Sequence, residues 1–551
     1  MTARLVRLGL AAILVAYLLL AAAFAVLTPA WQAPDEPAHF NYVRYIAETG
    51  NFPVLHMGDY PHAYLEQIKA AGFPADMPID AIRYEFHQPP LYYVLAAPVY
   101  SLAAGRALID ALTAVRFLSV ILGAGIVLLA YAIGRRAFPA RPGLALAAAA
   151  FVAFLPQHLA TVSQAGNDVL AELLFAAALY LLVGWVTAHP ERSDHGPGAT
   201  VRDETESALS GGRRAAAHAV EGAAIFSAEP PHPSAGRSEQ STLSRPPAQD
   251  ALSLWLLGVL LGLILITKTT AYIAAPLVGG ALLWRWRSSR AAPATIGRDL
   301  LAVALPAALI ALPWYARNVW AYGWPDILGL RRHDEIVVGQ MRTSEFIAQQ
   351  GWPAYWRRTV EWTFKSFWGV FGWMGVWLDS RFYLIAALLS GTALGGFVLR
   401  MLPLLARPGA ASPAQRRIAR LLSLSALLSL MAYAWYNLTF LQHQGRYLFS
   451  ALIPLALAYA WGWDAALRPR NARLLAGALA VLAVALAAWG VIGPAGLPKW
   501  PLALTVALGG ALAVVSFLPA RLRGLAYAGA FALLPLLALY ALLGGIVAQL
   551  W

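Results

Sequence analysis

Ala33-Pro34-Asp35-Glu36-Pro37-Ala38-His39-Phe40 follows closely on an unbroken apolar run, residues 8–27. The run is long enough to cross a bilayer and too long for the apolar part of a removable leader. Two adjacent carboxylates and a histidine therefore stand where the chain leaves a membrane. Pro34 and Pro37 fix that exit, because proline sets φ and suits the first turn of a helix. The rest of the chain reads as further crossings that bring other loops toward this one.

Composition agrees. Of 551 residues, 59% are hydrophobic and only 13% charged, and the mean hydropathy is +0.59. Runs of spanning length recur along the sequence, so the chain is expected to be a polytopic membrane protein. With no cysteine there is no disulfide, thiol nucleophile or thiolate metal site. A net charge of +13 would suggest nucleic acid in a soluble protein. Here the arginines cluster in short loops, which points to membrane orientation and away from nucleic acid.

Arg4 and Arg7 place the N-terminus in the cytoplasm. A long outside loop follows, residues 30–113. Within it, residues 36–48 put Phe40, Val43 and Ala47 on one face, as in a short helix lying on the membrane. Residues 91–102 are apolar but too short to cross and are expected to be re-entrant or interfacial. Spans are expected at about 115–133, 143–163, 169–186, 252–266, 270–284, a segment ending at Pro313, 382–399, a segment ending near Tyr436, one reaching Arg468, and about 474–492, 502–518 and 525–548. Residues 189–250, rich in Gly, Pro, Ser, Ala and mixed charge, read as a disordered cytoplasmic insert. A second large outside loop, 317–379, is dense in Trp, Tyr and Arg. The result is an all-α polytopic transmembrane helical bundle of about thirteen spans. Short loops assigned inside carry at least two arginines, and short outside turns carry at most one basic residue.

The outside ends hold the residues able to do chemistry. Asp35 suits a proton acceptor, but it can also simply cap a helix beginning at Glu36. Asn167 and Asp168 likewise cap the span at 169 while sharing a face with Asp35. His87-Gln88-Pro89-Pro90-Leu91-Tyr92-Tyr93 fits a turn with an aromatic belt, or a place for a substrate. Lys268, Arg317, Arg381 and Arg446 fall at outside span ends. There they either snorkel to head groups or converge on one phosphate, with Arg446, between Gly445 and Tyr447, the favoured ligand. Asn437-Leu438-Thr439 matches a glycosylation sequon, a pattern common by chance. Together these groups suit a single chemistry, in which a carboxylate takes a proton from a hydroxyl while cations hold a lipid-linked phosphate whose tail stays in the bilayer.

These stretches, in this order, resemble the GT-C superfamily of integral membrane glycosyltransferases, which use polyprenyl-phosphate-linked sugars. Pro34-Asp35-Glu36-Pro37 resembles its acidic motif. His87 to Tyr93, Arg116-Phe117-Leu118-Ser119, Leu265-Ile266-Thr267-Lys268 and Pro313-Trp314-Tyr315-Ala316-Arg317-Asn318 are similar to protein-mannosyltransferase-like and aminoarabinose-transferase-like members. Ser366-Phe367-Trp368-Gly369-Val370-Phe371-Gly372-Trp373 and Gln444-Gly445-Arg446-Tyr447-Leu448-Phe449 are closer to a narrower group, the DUF2142 membrane proteins.

The resemblance implies a glycosyltransferase module over residues 1–465 with further transmembrane helices at 466–551, and a plasma (inner) membrane location with the site extracytoplasmic. It implies a hexosyl- or pentosyltransferase that moves sugar from a polyprenyl-phosphate donor to a cell-surface glycan, lipid or protein, with inversion. Asp35 becomes the base, with Glu36 and Asp168 beside it. His39, His87, Gln88, Asn167, Lys268, Arg317, Arg381, Arg446 and Tyr447 would surround the substrates, and Trp352, Trp356, Trp362 and Trp368 would cover the sugar or contact the acceptor. No cofactor is required on chemical grounds. The second loop carries Asn167-Asp168 and not Asp-x-Asp, which leaves divalent metal dependence unsupported. The alternatives are a transporter or lipid flippase, with broken helices and ionisable groups at the midplane, or a non-catalytic protein of the same fold.

The expected orientation has a direct test. Single cysteines introduced within residues 189–250 should resist membrane-impermeant thiol reagents in intact cells, and efficient labelling there would reverse the assigned face.

Overall fold

The computed structural model describes residues 2–103, 105–188, 247–406, 411–493 and 496–551. Helices make up nearly all of it, as they must where no water is present to satisfy the backbone. The first part runs α1 (Ala3–Leu27), α2 (Glu36–Thr49), α3 (His62–Ala70), α4 (Leu91–Leu102), α5 (Leu108–Ala137), α6 (Pro142–Phe154), α7 (Pro156–Val162) and α8 (Asp168–Ala188). The middle runs α9 (Pro247–Leu265), α10 (Ala274–Ser289), α11 (Pro293–Tyr322), α12 (Leu330–Ile336), α13 (Thr343–Trp368), α14 (Ser380–Ala406) and α15 (Pro413–Thr439). Then come α16 (Leu452–Ala466), α17 (Pro469–Ile492), α18 (Lys499–Val515), α19 (Ala520–Tyr540), a π-helical stretch Ala541–Val547, and α20 (Ala548–Leu550). The one described sheet is a hairpin of β1 (Val370–Phe371) and β2 (Val376–Trp377), paired Val370 to Trp377 and Phe371 to Val376.

The chain is a multi-pass membrane protein. Among the described residues nine helices are long and apolar enough to cross, or ten if the bent pair α6–α7 counts as one span. Every expected span is helical, but the count of thirteen does not follow from helix length. Helices α10 and α18 are short for a crossing, at 16 and 17 residues, or about 24–26 Å against a hydrocarbon core of about 30 Å, and α9 adjoins residues outside those described. Helix α4, at 12 residues, is likewise too short to cross. The expected insert lies outside the described residues as far as 246, and 247–250 already belong to the first turn of α9.

Two local features set up the site. First, α2 does not lie on the membrane as its apolar stripe suggests: residues 36–43 are buried on every face. Its polar side chains find partners inside the protein, Asn41 donating to the carbonyls of Ile79 (2.7 Å) and Ile82 (2.9 Å). Second, the expected span 143–163 is broken by 64° between α6 and α7. Pro156 has no N–H to bond the Val152 carbonyl one turn back, and it holds Leu155 extended. His158 Nδ1 replaces the missing donor on Val152 O at 2.7 Å, so the break leaves no orphan carbonyl there.

Glu36 and Arg116 tie these pieces together. Both are fully buried. Arg116 Nε donates to Glu36 Oε1 at 2.8 Å and Nη2 to Oε2 at 2.6 Å, a bidentate pair. Glu36 also accepts from the backbone N–H of Trp31 (3.2 Å) and Ala165 (3.0 Å). The remaining Arg116 donors serve the carbonyls of Ala25, Thr28 and Pro29 at the end of α1, which no helical N–H can reach. Removing one partner strands the other charge, at a typical cost of roughly 3–5 kcal/mol. Arg116→Met should therefore lower the melting temperature in detergent sharply, and Glu36→Gln combined with it should cost less than the two single changes added. An unchanged melting temperature for Arg116→Met would remove the pair from its organising role.

Candidate active site

Asp35 occupies the left-handed region (φ 66°, ψ −6°) just before α2, yet its side chain makes no capping hydrogen bond to that helix. The capping role open to it in the sequence is not the one it takes. Its carboxylate instead accepts from Tyr84 Oη at 2.9 Å on Oδ1 and from Arg446 Nη2 at 3.0 Å on Oδ2. Arg446 is held in turn by Gln444 Oε1, 2.8 Å from its Nε. Burial pushes the Asp35 carboxyl up, but the Arg446 guanidinium, with His39 and the Tyr84 hydroxyl adding to it, holds the group below its ordinary value. Tyr84 moves the opposite way, raised by burial and by the carboxylate it serves.

A second ion pair stands nearby. Lys268, just after α9, lies 2.8 Å from Asp168 at the start of α8, and Asp168 shares a cavity wall with Arg446. The side chains of Asp35 and Asp168 are 30% and 28% exposed, those of Arg446 and Lys268 11% and 13%. The four charges are thus recessed but open to a ligand. His39, one turn into α2, is buried among them with Nδ1 2.8 Å from Tyr93 Oη. Burial lowers its pKa despite the Glu85 carboxylate pulling the other way, so the ring is neutral near pH 7. Asn167 Nδ2 bridges Gln88 Oε1 (3.3 Å) and the Thr267 carbonyl (3.2 Å). Gln88 Nε2 reaches His87 Nε2 at 3.4 Å, and the His87 ring packs on His333 of α12 at 4.5 Å between centroids. Burial and His333 keep His87 well below its ordinary value.

Two clefts open here, spanning about 470 and 430 Å³ of space that includes open solvent. Arg446 and Thr161 line both, and so form the wall between them. The larger is bounded by Ala33 and Pro34, the α7 side chains, the hairpin, and Ile546 and Leu550 near the chain's end. The smaller is bounded by Asp168, Glu172, Thr270 and Tyr447.

Of the expected residues, Asp35, Asp168, His39, Lys268, Arg446 and Tyr447 come together, with Asn167, Gln88 and His87 linked behind them. Arg317 and Arg381 do not join. Arg317 donates to the carbonyls of Phe52 and Pro53 and lies over Trp314 at 4.8 Å, so it fastens the first loop. Arg381 lies over Trp500 at 4.4 Å, beside Asp379. Both carboxylate oxygens of Glu36 are taken up by Arg116 and backbone N–H groups, which leaves it a supporting place beneath Asp35. The four tryptophans expected to cover the sugar do not line either cavity; the hairpin residues Val370, Phe371 and Gly372 do. Asn437 of the sequon is buried against Tyr433 O. Among the described residues no three His, Asp or Glu side chains are placed to share a metal ion.

Tyr84, Glu85 and Arg116 were not singled out as site residues by sequence reasoning. Arg116 had a signal, since a lone charge inside an apolar span requires a buried partner. Tyr84 and Glu85 had none, sitting in a loop with no periodicity.

Residues 87–193 match the family model of the dolichyl-phosphate-mannose-protein mannosyltransferases. The match begins at His87, covers Asn167 and Asp168, and stops well short of half the chain. Among curated proteins none matches significantly. Two solved structures are similar in overall course. One is ArnT from Cupriavidus metallidurans bound to undecaprenyl phosphate, at 15% identity and TM-score 0.45, covering 100% of this chain and 77% of that one. The other is the Archaeoglobus fulgidus oligosaccharyltransferase, at 12% identity and TM-score 0.42, covering 96% of this chain and 56% of that one. With so loose an overlap, the fold assignment rests on the helices described above. These matches do not test the narrower resemblance of residues 366–373 and 444–449.

The Arg446 guanidinium pulls the Asp35 pKa down, and that can be measured. Arg446→Gln removes the positive charge and leaves the burial, so the Asp35 pKa should rise. Infrared titration of the carboxylate, with Asp35→Asn as the blank, should show protonation moving to higher pH. An unmoved titration would mean that Arg446 does not control the group.

Proposed function

We propose that this chain is a membrane glycosyltransferase that moves a sugar from a polyprenyl-phosphate donor to an acceptor hydroxyl, with inversion at the anomeric carbon. One observation carries the reading: Asp35 is held between Tyr84 and Arg446, Arg446 lines two cavities, and a second cation, Lys268, pairs with Asp168 on the wall of one of them. Asp35 takes the proton of the acceptor hydroxyl as its oxygen bonds to the anomeric carbon. The bond from that carbon to the phosphate oxygen breaks, and its electron pair leaves with the phosphate. Arg446 and Lys268 neutralise the charge, worth far more in a recessed site than in water. Tyr84 keeps one carboxylate oxygen in place.

The resting ion pair also couples the two halves of this scheme. A base held low by a guanidinium is a weak base. A donor phosphate that draws Arg446 toward itself removes that restraint, and Asp35 becomes more basic only once the donor has arrived. Positive charge at the opposite loop ends supports an extracytoplasmic site in a plasma (inner) membrane. The acceptor is a glycan, lipid or protein on that side. The family match over residues 87–193 and the polar cluster support transferase over transporter. The broken α6–α7 segment, which a transporter also requires, is accounted for by Pro156 and delivers Gln157, Thr161 and Gln164 to the larger cavity.

Asp35→Asn decides between enzyme and non-catalytic relative. It preserves shape and the left-handed backbone, which asparagine tolerates, but removes the proton acceptor. With purified protein and a panel of polyprenyl-phosphate sugars, turnover should fall by ~10²–10⁴ while donor binding persists. A folded Asp35→Asn protein with near-normal transfer would remove Asp35 from the mechanism.

A further inference from the structure

At the far end of the bundle a second charged cluster has no place in the scheme above. Arg116 holds Glu36 next to Asp35, and from there to Ala137 at the end of α5 is about 32 Å of helix, a full hydrocarbon thickness. The chain turns at that point, and Arg141, entering α6, pairs with Asp464 near the end of α16. Arg468, between α16 and α17, lies 3.5 Å from the other oxygen of Asp464. Arg400 of α14 is the third cation, standing in the field of Arg141, Arg468 and Asp464. Among the described residues its Nε is enclosed without a hydrogen-bond partner. One carboxylate thus faces three guanidiniums. The Tyr527 hydroxyl of α19, also close to Asp464 and Arg141, is committed to the Ala460 carbonyl at 3.1 Å.

An aromatic layer accompanies these charges, each ring three positions before one of them. Trp461 of α16 packs against Phe138, at the end of α5, and against Phe397 of α14, at 5.8 Å between centroids in both cases. Aromatic rings of this kind gather at the head-group level of a bilayer. Farther along α14, Leu402 and Leu405 are 59% and 74% exposed, so Arg400 stands within the apolar length of its helix and not past its tip. Snorkelling accounts for a lone arginine at a helix end; here cations from three segments are gathered about one carboxylate. Guanidiniums in excess of carboxylate suit a phosphate, which each can bind through two parallel N–H donors. Basic pockets between spans seat anionic lipid head groups in just this way. An ammonium ligand would need the opposite balance of charge.

We propose that Arg141, Arg400 and Arg468 form a phosphate-binding site at the head-group level, at the end of the bundle away from Asp35, and that it takes an anionic phospholipid. The aromatic layer and the exposed leucines provide for the glycerol and acyl parts of a lipid, which free phosphate would leave uncovered. The site is separate from the function proposed above, and neither depends on the other.

The test uses the full chain, stripped of lipid in detergent, with bound lipid titrated by native mass spectrometry. The probes are a phosphatidylglycerol, a phosphatidylcholine with the same chains, and inorganic phosphate followed by calorimetry. The variants are Arg400→Gln and Arg468→Gln, with melting temperatures checked. Wild-type protein should bind phosphatidylglycerol in preference to phosphatidylcholine. Each variant should bind it about ten- to a hundred-fold more weakly, the loss of one charge-assisted contact, with phosphatidylcholine unaffected. Arg446→Gln, at the distant cluster, should leave phosphatidylglycerol binding unchanged; weakening there and not in the other two variants would move the lipid to the Asp35 side and overturn the site. Phosphate binding that is lost in the variants, with no preference between the lipids, would keep the anion site and overturn the lipid as its source. Folded variants that bind phosphatidylglycerol as wild type does would overturn the site outright, as would a wild-type protein that treats both lipids alike and binds no phosphate. Should Arg400→Gln fail to fold, Arg468→Gln carries the same comparison.

Discussion

The buried pair Glu36–Arg116 is the contact on which the rest of the site depends. Four parts of the chain meet on it: the end of α1, the first loop, α5, and the turn between α7 and α8. Two charges removed from water and satisfied almost wholly by one another and by backbone groups leave little freedom to any of those parts. Asp35 is the adjoining residue, so its left-handed backbone is set beside a carboxylate already taken up by other partners. The Asp35 carboxylate is held firmly here because the adjacent one is spent on structure.

Above that base the charges form a second, softer layer. Asp35 with Arg446 and Asp168 with Lys268 make two pairs that balance at rest and remain partly open. In the function proposed above, a phosphate arriving at the shared wall competes for the same cations, so donor binding and the basicity of Asp35 belong to one equilibrium. The Glu36–Arg116 pair excludes solvent and the other two pairs admit it, a difference among carboxylates that look alike in sequence.

Backbone breaks do comparable work. Pro156 interrupts a crossing, His158 repairs the carbonyl it frees, and the redirected α7 carries glutamine and threonine side chains into the larger cavity. The hairpin at 370–377 closes the same cavity from the second loop, fastened by Val370 to Gln157 and by the Trp373 indole to the Trp31 carbonyl at 2.9 Å.

The sequence by itself determined that the chain is helical and crosses a membrane many times, because spanning-length apolar runs have no other way to satisfy their backbone in lipid. It also placed Asp35, Asp168, Lys268 and Arg446 at helix ends of one sign of exit, since positive charge sorts loops. Only the tertiary structure decided which of those ends meet. Helix lengths say nothing about lateral packing, so Arg446 reached Asp35 while Arg317 and Arg381 found aromatic and carbonyl partners elsewhere. Nor does local pattern reveal what a side chain will touch across a long stretch of sequence: Tyr84 beside Asp35 and Arg116 beneath it both depend on contacts between distant segments. Periodicity and hydropathy are local quantities, and a site assembled from the ends of several helices is not.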